Sequence, residues 1–172
     1  AKLFKGLGAK VVGYDVYQSE AAKQVVEFLP LDEFLKQSDI ISCHMPYIKG
    51  QNENFINEEF ISKMKDHAIL VNTARGEVLD LEAAVKAIEN NKLDGLAIDV
   101  IANEKSLFFK NFENGKMDTP LHQKLIDLYP RILITPHVAS STDKALNDMI
   151  EVSLQNMDEY LNTGKCKNSL IK

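Results

Sequence analysis

The sequence predicts an α/β fold, a doubly wound parallel sheet with helices on both faces, and predicts it to be incomplete. Short β-rich apolar runs alternate with amphipathic helical stretches along the chain. Most of these runs are nearly continuously apolar, as strands buried on both faces require. Right-handed βαβ crossovers then lay the runs side by side in parallel. With 172 residues and 45% hydrophobic content, the chain can bury one substantial core.

Taken in order, Ala1–Gly6 reads as the last turns of a helix, and strands are predicted at Ala9–Asp15 and, briefly, Glu27–Leu29. A helix over Leu31–Gln37 leads to a strand at Asp39–Cys43, and one over Glu58–Met64 leads to a strand at Ala68–Asn72. Helix Leu81–Asn90 precedes strand Gly95–Val100, and helix Pro120–Leu128 precedes strand Ile132–Thr135. A long helix, Thr142–Leu161, closes the chain. Ser106–Thr119 breaks the rhythm: Asn111, Asn114 and Gly115 surround Phe108, Phe109 and Phe112, which marks a loop packed onto the domain.

Bulk properties exclude several classes of partner. The net charge of -5 and a pI near 5.4 provide no broad basic face, so neither nucleic acid nor an anionic membrane is expected. No apolar run approaches the roughly 20 residues that span a bilayer. Two cysteines without CxxC spacing favour a reducing compartment, and a cytoplasmic location is expected. The four histidines show no ligand spacing, and no metal is expected.

In an open parallel sheet, ligands bind beyond the carboxyl ends of the strands. The residues there are chemically rich. Asp15 ends the first strand, His44 follows the third and Arg75 follows the fourth. Asp99 ends the fifth, Glu104 lies in the turn after it, and His137 follows Ile134-Thr135-Pro136. One cluster can thus hold an acid for a ribose, a cation for an anionic substrate, and a histidine with a carboxylate partner.

Those residues carry a resemblance. Val11-Val12-Gly13-Tyr14-Asp15, His44-Met45-Pro46, Val71-Asn72-Thr73-Ala74-Arg75-Gly76, Asp99 to Glu104 and Thr135-Pro136-His137 resemble, in order and spacing, the motifs of the D-isomer-specific 2-hydroxyacid dehydrogenases. The insert with Phe108-Phe109 and Asp118-Thr119-Pro120-Leu121 is similar to the D-lactate and D-2-hydroxyisocaproate dehydrogenase branch. The resemblance implies an NAD-dependent oxidoreductase on a Rossmann-type sheet, acting on small 2-oxo and 2-hydroxy acids, and a homodimer. It also implies that residues 1–141 are part of a nicotinamide dinucleotide-binding domain, with 142–172 a helix and tail returning toward a substrate domain.

By the same resemblance, Arg75 clamps the substrate carboxylate, for which a planar guanidinium with parallel donors is suited. His137 is the acid/base that protonates the developing alkoxide, and Glu104 bonds its other ring nitrogen and favours the imidazolium. Asp15 accepts from a ribose diol and repels a 2′-phosphate, favouring NAD over NADP; a turn-capping aspartate is the alternative. Asp99 receives the nicotinamide amide, with backbone carbonyls near Thr73 and Ala74 as further acceptors. His44 and Pro46 look like the family's cofactor-side loop, and simple loop geometry explains them equally well.

Two departures stand out. His67 occupies a position where a helix-ending glycine is expected, and it reads as a structural variation. Ser140-Ser141 replaces an aromatic pair common in the D-lactate branch, which leaves the branch and the substrate side chain open. No GxGxxG follows a first strand; Gly6-Leu7-Gly8 precedes a strand instead. The strand order 3-2-1-4-5-6 would then have a gap at its middle, and about 150 upstream residues are expected to supply the glycine loop and the other domain. Two rivals remain: an NAD(H)-sensing interaction protein on the same fold, and a formate dehydrogenase of the same superfamily, against which Glu104 argues because the resemblance implies a glutamine as the histidine's partner in that group.

Overall fold

A computed structural model of the chain describes residues 1–112 and 115–170. The chain divides into two compact units, residues 1–136 and 137–172. In the first, α1 (Lys2–Gly6), β1 (Val12–Gly13), α2 (Glu20–Lys23), β2 (Glu27–Phe28), α3 (Leu31–Gln37) and β3 (Ile40–Cys43) follow one another. Then come α4 (Glu58–Lys63), β4 (Ala68–Asn72), α5 (Leu81–Glu89), β5 (Leu93–Ile98), α6 (Pro120–Asp127) and β6 (Ile132–Ile134). The second unit is built on α7 (Asp143–Thr163).

Side-chain caps explain where the helices start. Asn57, Asp80, Thr119 and Thr142 each accept a backbone N–H three residues on, at the starts of α4, α5, α6 and α7; each satisfies a donor that the first turn leaves orphaned. Ser19 does the same for α2, a short helix with no counterpart in the sequence reading.

Every strand pair is parallel, but the strands form two sheets, β1-β2 and β3-β4-β5-β6. Among the described residues no ladder joins the two. The larger sheet grows in one direction, so right-handed crossovers put α4, α5 and α6 on one face; α5 accordingly packs between α4 and α6.

The sheet is of the expected Rossmann-type α/β kind, and the described helices α4, α5 and α6 cover one of its faces. Its strands are buried on that side: Leu70 is 0% exposed and Leu96 1%, while Ile40, Ile69 and Leu133 on the other side are 61%, 37% and 52% exposed. The apolar runs are continuous, yet burial alternates along them. Continuous hydrophobicity shows only that both faces suit a core; the helices within these residues cover one.

The core lies under the covered face, where Leu70, Leu96, Val78, Val85 and Ile88 are almost fully buried. The insert after β5 joins it through Leu107 and Phe108, as expected of a packed loop; Asn114 of that insert lies outside the described residues. At the amino edge of the sheet, His67 adopts φ +66, the left-handed conformation that a glycine takes most readily. Its backbone N–H donates to Lys92 O at 2.9 Å and its Nδ1 lies 2.9 Å from Asp94 Oδ1. Those contacts hold a non-glycine residue in the turn, far from the sheet's carboxyl edge. In the second unit, α7 stops at Gly164, φ +68.

Truncating Leu96 to alanine is expected to destabilise the protein by about 2–5 kcal/mol, the usual range for a deleted core leucine, as read from urea denaturation midpoints. A loss under about 1 kcal/mol would mean that this face is not tightly packed.

Candidate active site

The last residues of the four strands lie in one row: Cys43 is paired with Asn72, Asn72 with Ile98, and Ile98 with Ile134. The next residue of each strand, His44, Thr73, Asp99 and Thr135, therefore leaves the sheet at the same edge. Cys43 itself is core: burial pushes its thiol above its ordinary range, which makes a poor nucleophile.

The β4 loop is the most tightly specified. Asn72 is fully buried; its Oδ1 accepts the Ala74 N–H at 3.0 Å and its Nδ2 donates to the Arg75 carbonyl at 2.9 Å. Its own carbonyl accepts the Asp99 N–H at 3.0 Å. Arg75 is exposed, with Nη1 donating to the Ala74 carbonyl at 2.7 Å. One guanidinium N–H is thus used locally, and the exposed fork carries further donors that suit a ligand.

Gly76 sits against the next loop. A Cβ there would lie 1.9 Å from the Ile101 carbonyl carbon and 2.1 Å from the Ala102 nitrogen, distances that only glycine avoids. The loop bearing Arg75 and the loop running from Asp99 to Glu104 consequently touch backbone to backbone.

Asp99 is 3% exposed, and its Oδ1 accepts the Thr135 hydroxyl at 2.5 Å. The Thr135 N–H in turn donates to the Ile98 carbonyl at 3.0 Å. Glu104 is half-buried and opens a 3-10 turn through Ser106. Its carbonyl accepts the N–H groups of Leu107 and Phe108 at 2.9 and 2.8 Å, so the buried Leu107 and Phe108 anchor its backbone. Asn103, just before it, is left-handed with φ +54.

His137 is the first residue of the second unit, directly after Pro136. It too is left-handed, φ +53, a conformation that costs a non-glycine residue about 1–2 kcal/mol.

Three other expected positions, Asp15 after β1 of the smaller sheet and His44 and Pro46 after β3, are in ordinary loop geometry. Asp15 lies two residues beyond the short β1, exposed, with Oδ1 accepting the Tyr17 N–H at 2.8 Å, the turn-capping alternative seen in practice. His44 Nε2 pairs with Ser42 Oγ at 2.9 Å. The Pro46 carbonyl accepts Asn52 Nδ2 at 2.7 Å, and Asn52 Oδ1 accepts the Ile48 N–H at 2.7 Å. The Tyr47 hydroxyl donates to Glu53, which pushes the phenol up to about 12.

Residues 1–139 match the family described as "D-isomer specific 2-hydroxyacid dehydrogenase, NAD binding domain". The chain belongs to this family. It is 37% identical over 169 residues to an aromatic 2-oxoacid reductase of Clostridium sporogenes (strain ATCC 15579), covering 98% of this chain and 50% of that protein. It is 38% identical over 164 residues to a D-lactate dehydrogenase of Lactiplantibacillus plantarum, covering 95% and 49%. Its fold matches D-lactate dehydrogenase with NAD+ from Lactobacillus jensenii with a TM-score of 0.90 at 34% identity, over 100% of this chain and 51% of that one. A D-2-hydroxyisocaproate dehydrogenase matches with a TM-score of 0.87 at 35% identity, over 96% and 50%. The chain spans about half the length of the relatives it matches.

Within this dehydrogenase domain, three residues with no role in the sequence reading organise the site: Asn72, Gly76 and Thr135. A signal for Asn72 was available, since a lone amide closing an apolar strand must find partners if buried. Gly76 gave none, because its neighbours come from a loop about 25 residues later in the chain. Replacing Gly76 by alanine is expected to cost at least about 2 kcal/mol, since overpacked sites typically lose 1–3. Denaturation of Gly76→Ala beside wild type measures it, and equal midpoints would show that the loops can part.

Proposed function

We propose that this chain is the cofactor-binding part of an NAD-dependent enzyme that reduces 2-oxo acids to D-2-hydroxy acids, with a longer polypeptide completing the site. The observation that carries the reading is the contact of Gly76 with Ile101–Ala102, which locks the loop of a carboxylate-binding cation to the loop of a half-buried glutamate. The names of the relatives, an aromatic 2-oxoacid reductase and a D-lactate dehydrogenase, support the substrate class.

The donor set suits the cofactor. Asp99 offers carboxylate oxygens beside the open strand ends, the chemistry that an amide N–H2 requires, and Asp15 stands at a separate strand end as an acceptor for a ribose diol. NADH, when bound, supplies the hydride to the carbonyl carbon of the 2-oxo acid.

The chain's own groups then divide the remaining work. Arg75 holds the substrate carboxylate with parallel N–H donors and polarises the adjacent carbonyl. The His137 imidazolium gives its proton to the carbonyl oxygen as the alkoxide forms, and imidazole takes it back in the reverse oxidation. Glu104 serves His137 as the acceptor for its other ring nitrogen, which fixes the ring's orientation.

In the full-length polypeptide, NADH oxidation with pyruvate, 2-oxoisocaproate and phenylpyruvate tests the reading. His137→Ala should lower kcat by about 10²–10⁴-fold, the usual share of general acid catalysis, with NADH binding retained. NADH binding without turnover of any 2-oxo acid by the wild type would instead favour a nucleotide-sensing protein.

Glu104→Gln probes the second carboxylate. Losing the acceptor that orients the acid/base should lower kcat for 2-oxo-acid reduction by about tenfold or more with NADH binding retained, and an unchanged kcat would remove Glu104 from this role.

A further inference from the structure

We propose that Asn72 is a positioning residue for substrate binding: its side-chain amide sets the backbone from which Arg75 reaches the substrate carboxylate. The inference rests on the reading of Arg75 as that clamp.

Asn72 is the last residue of β4, a strand flanked by β3 and β5. The paired positions on either side, Cys43 and Ile98, are buried and apolar. An unpartnered amide there would be costly. Instead both side-chain polar atoms are used on the Arg75 loop, Oδ1 accepting the Ala74 N–H and Nδ2 donating to the Arg75 carbonyl, and the main-chain carbonyl accepts the Asp99 N–H of the neighbouring loop.

The two side-chain bonds replace the sheet partners that Ala74 and Arg75 lose on leaving the strand. They also have a fixed polarity, one accepting and one donating, which only an amide of this length supplies. Aspartate keeps the shape and the acceptor but sets a carboxylate oxygen against the Arg75 carbonyl. On its other side, Gly76 presses on Ile101–Ala102. The Arg75 main chain is therefore held from the strand by Asn72 and from the neighbouring loop by Gly76, while its side chain stays exposed for a ligand. A guanidinium on a long lever needs such a base, since a displacement of about 1 Å in a positioning group can cost about 10²-fold in rate.

A double-mutant cycle in the full-length polypeptide tests this with oxamate, an unreactive carboxylate analogue of a 2-oxo acid, titrated into the NADH complex. Asn72→Ala and Arg75→Lys should each weaken oxamate binding by about tenfold or more. Together they should weaken it little beyond Arg75→Lys alone, the non-additivity expected of residues acting as one unit. NADH affinity should change by less than about threefold in Asn72→Ala. Should Asn72→Ala not fold, Asn72→Ser, which keeps a hydroxyl, takes its place in the cycle.

Additive losses of oxamate affinity would overturn the proposal, and so would equal losses of NADH and oxamate affinity in the Asn72 variant, which mark a scaffold residue. Unchanged oxamate affinity in Arg75→Lys alone would instead overturn the clamp itself, and the proposal with it.

Discussion

Parallel hydrogen bonding in the β3-β4-β5-β6 ladder is the constraint on which the site depends. Strands that run in one direction must all deliver their following loops at one edge. Here the register is strict enough that Cys43, Asn72, Ile98 and Ile134 end the four strands in a single row. Arg75, Asp99 and Glu104 are separated by up to 29 positions in the sequence, and the ladder alone puts their loops side by side.

The ladder ends where its regular bonds run out, and polar side chains take over there. Three polar residues are buried among the described ones, Ser38, Asn72 and Asp99, and the last two occupy this edge. Asn72 bonds the β4 loop, its carbonyl takes the Asp99 N–H, and the Asp99 carboxylate takes the Thr135 hydroxyl. The chain of contacts runs across three strand ends. Each buried group in it is satisfied by the next, so the loss of any one strands its neighbour in a poorly hydrated place. Gly76 supplies the steric counterpart, bringing two loop backbones closer than a side chain permits.

Among the described residues six non-glycines are left-handed: Asn103 before Glu104, Phe109 in the insert and His137, and, away from them, Asn54, His67 and Asn91. Such residues persist only where the surroundings determine them, and they concentrate at functional sites. His67 shows the other case: its left-handed turn at the opposite edge lies between the end of α4 and the start of β4, and its contacts to Lys92 and Asp94 give it a purely architectural explanation.

Much was legible from the sequence alone. Period and punctuation located the strands and most helices to within a few residues, because apolar patterning and capping residues are local properties. The motifs from His44-Met45-Pro46 to Thr135-Pro136-His137 identified the family and its candidate site residues, since residue types recurring in order need no coordinates to be recognised. What only the tertiary structure decided lies in contacts between distant segments. The apolar run of β4 could not say that Leu70 is covered while Ile69 is open, because burial depends on which helices pack where. Nor could Asn72-Thr73-Ala74-Arg75-Gly76 say that the asparagine turns back onto its own loop and that the glycine meets Ile101–Ala102. The glycine's contact comes from the register of neighbouring parallel strands, a long-range property that no local spacing encodes, and the asparagine's bonds, though local, are enforced by the burial that those strands impose.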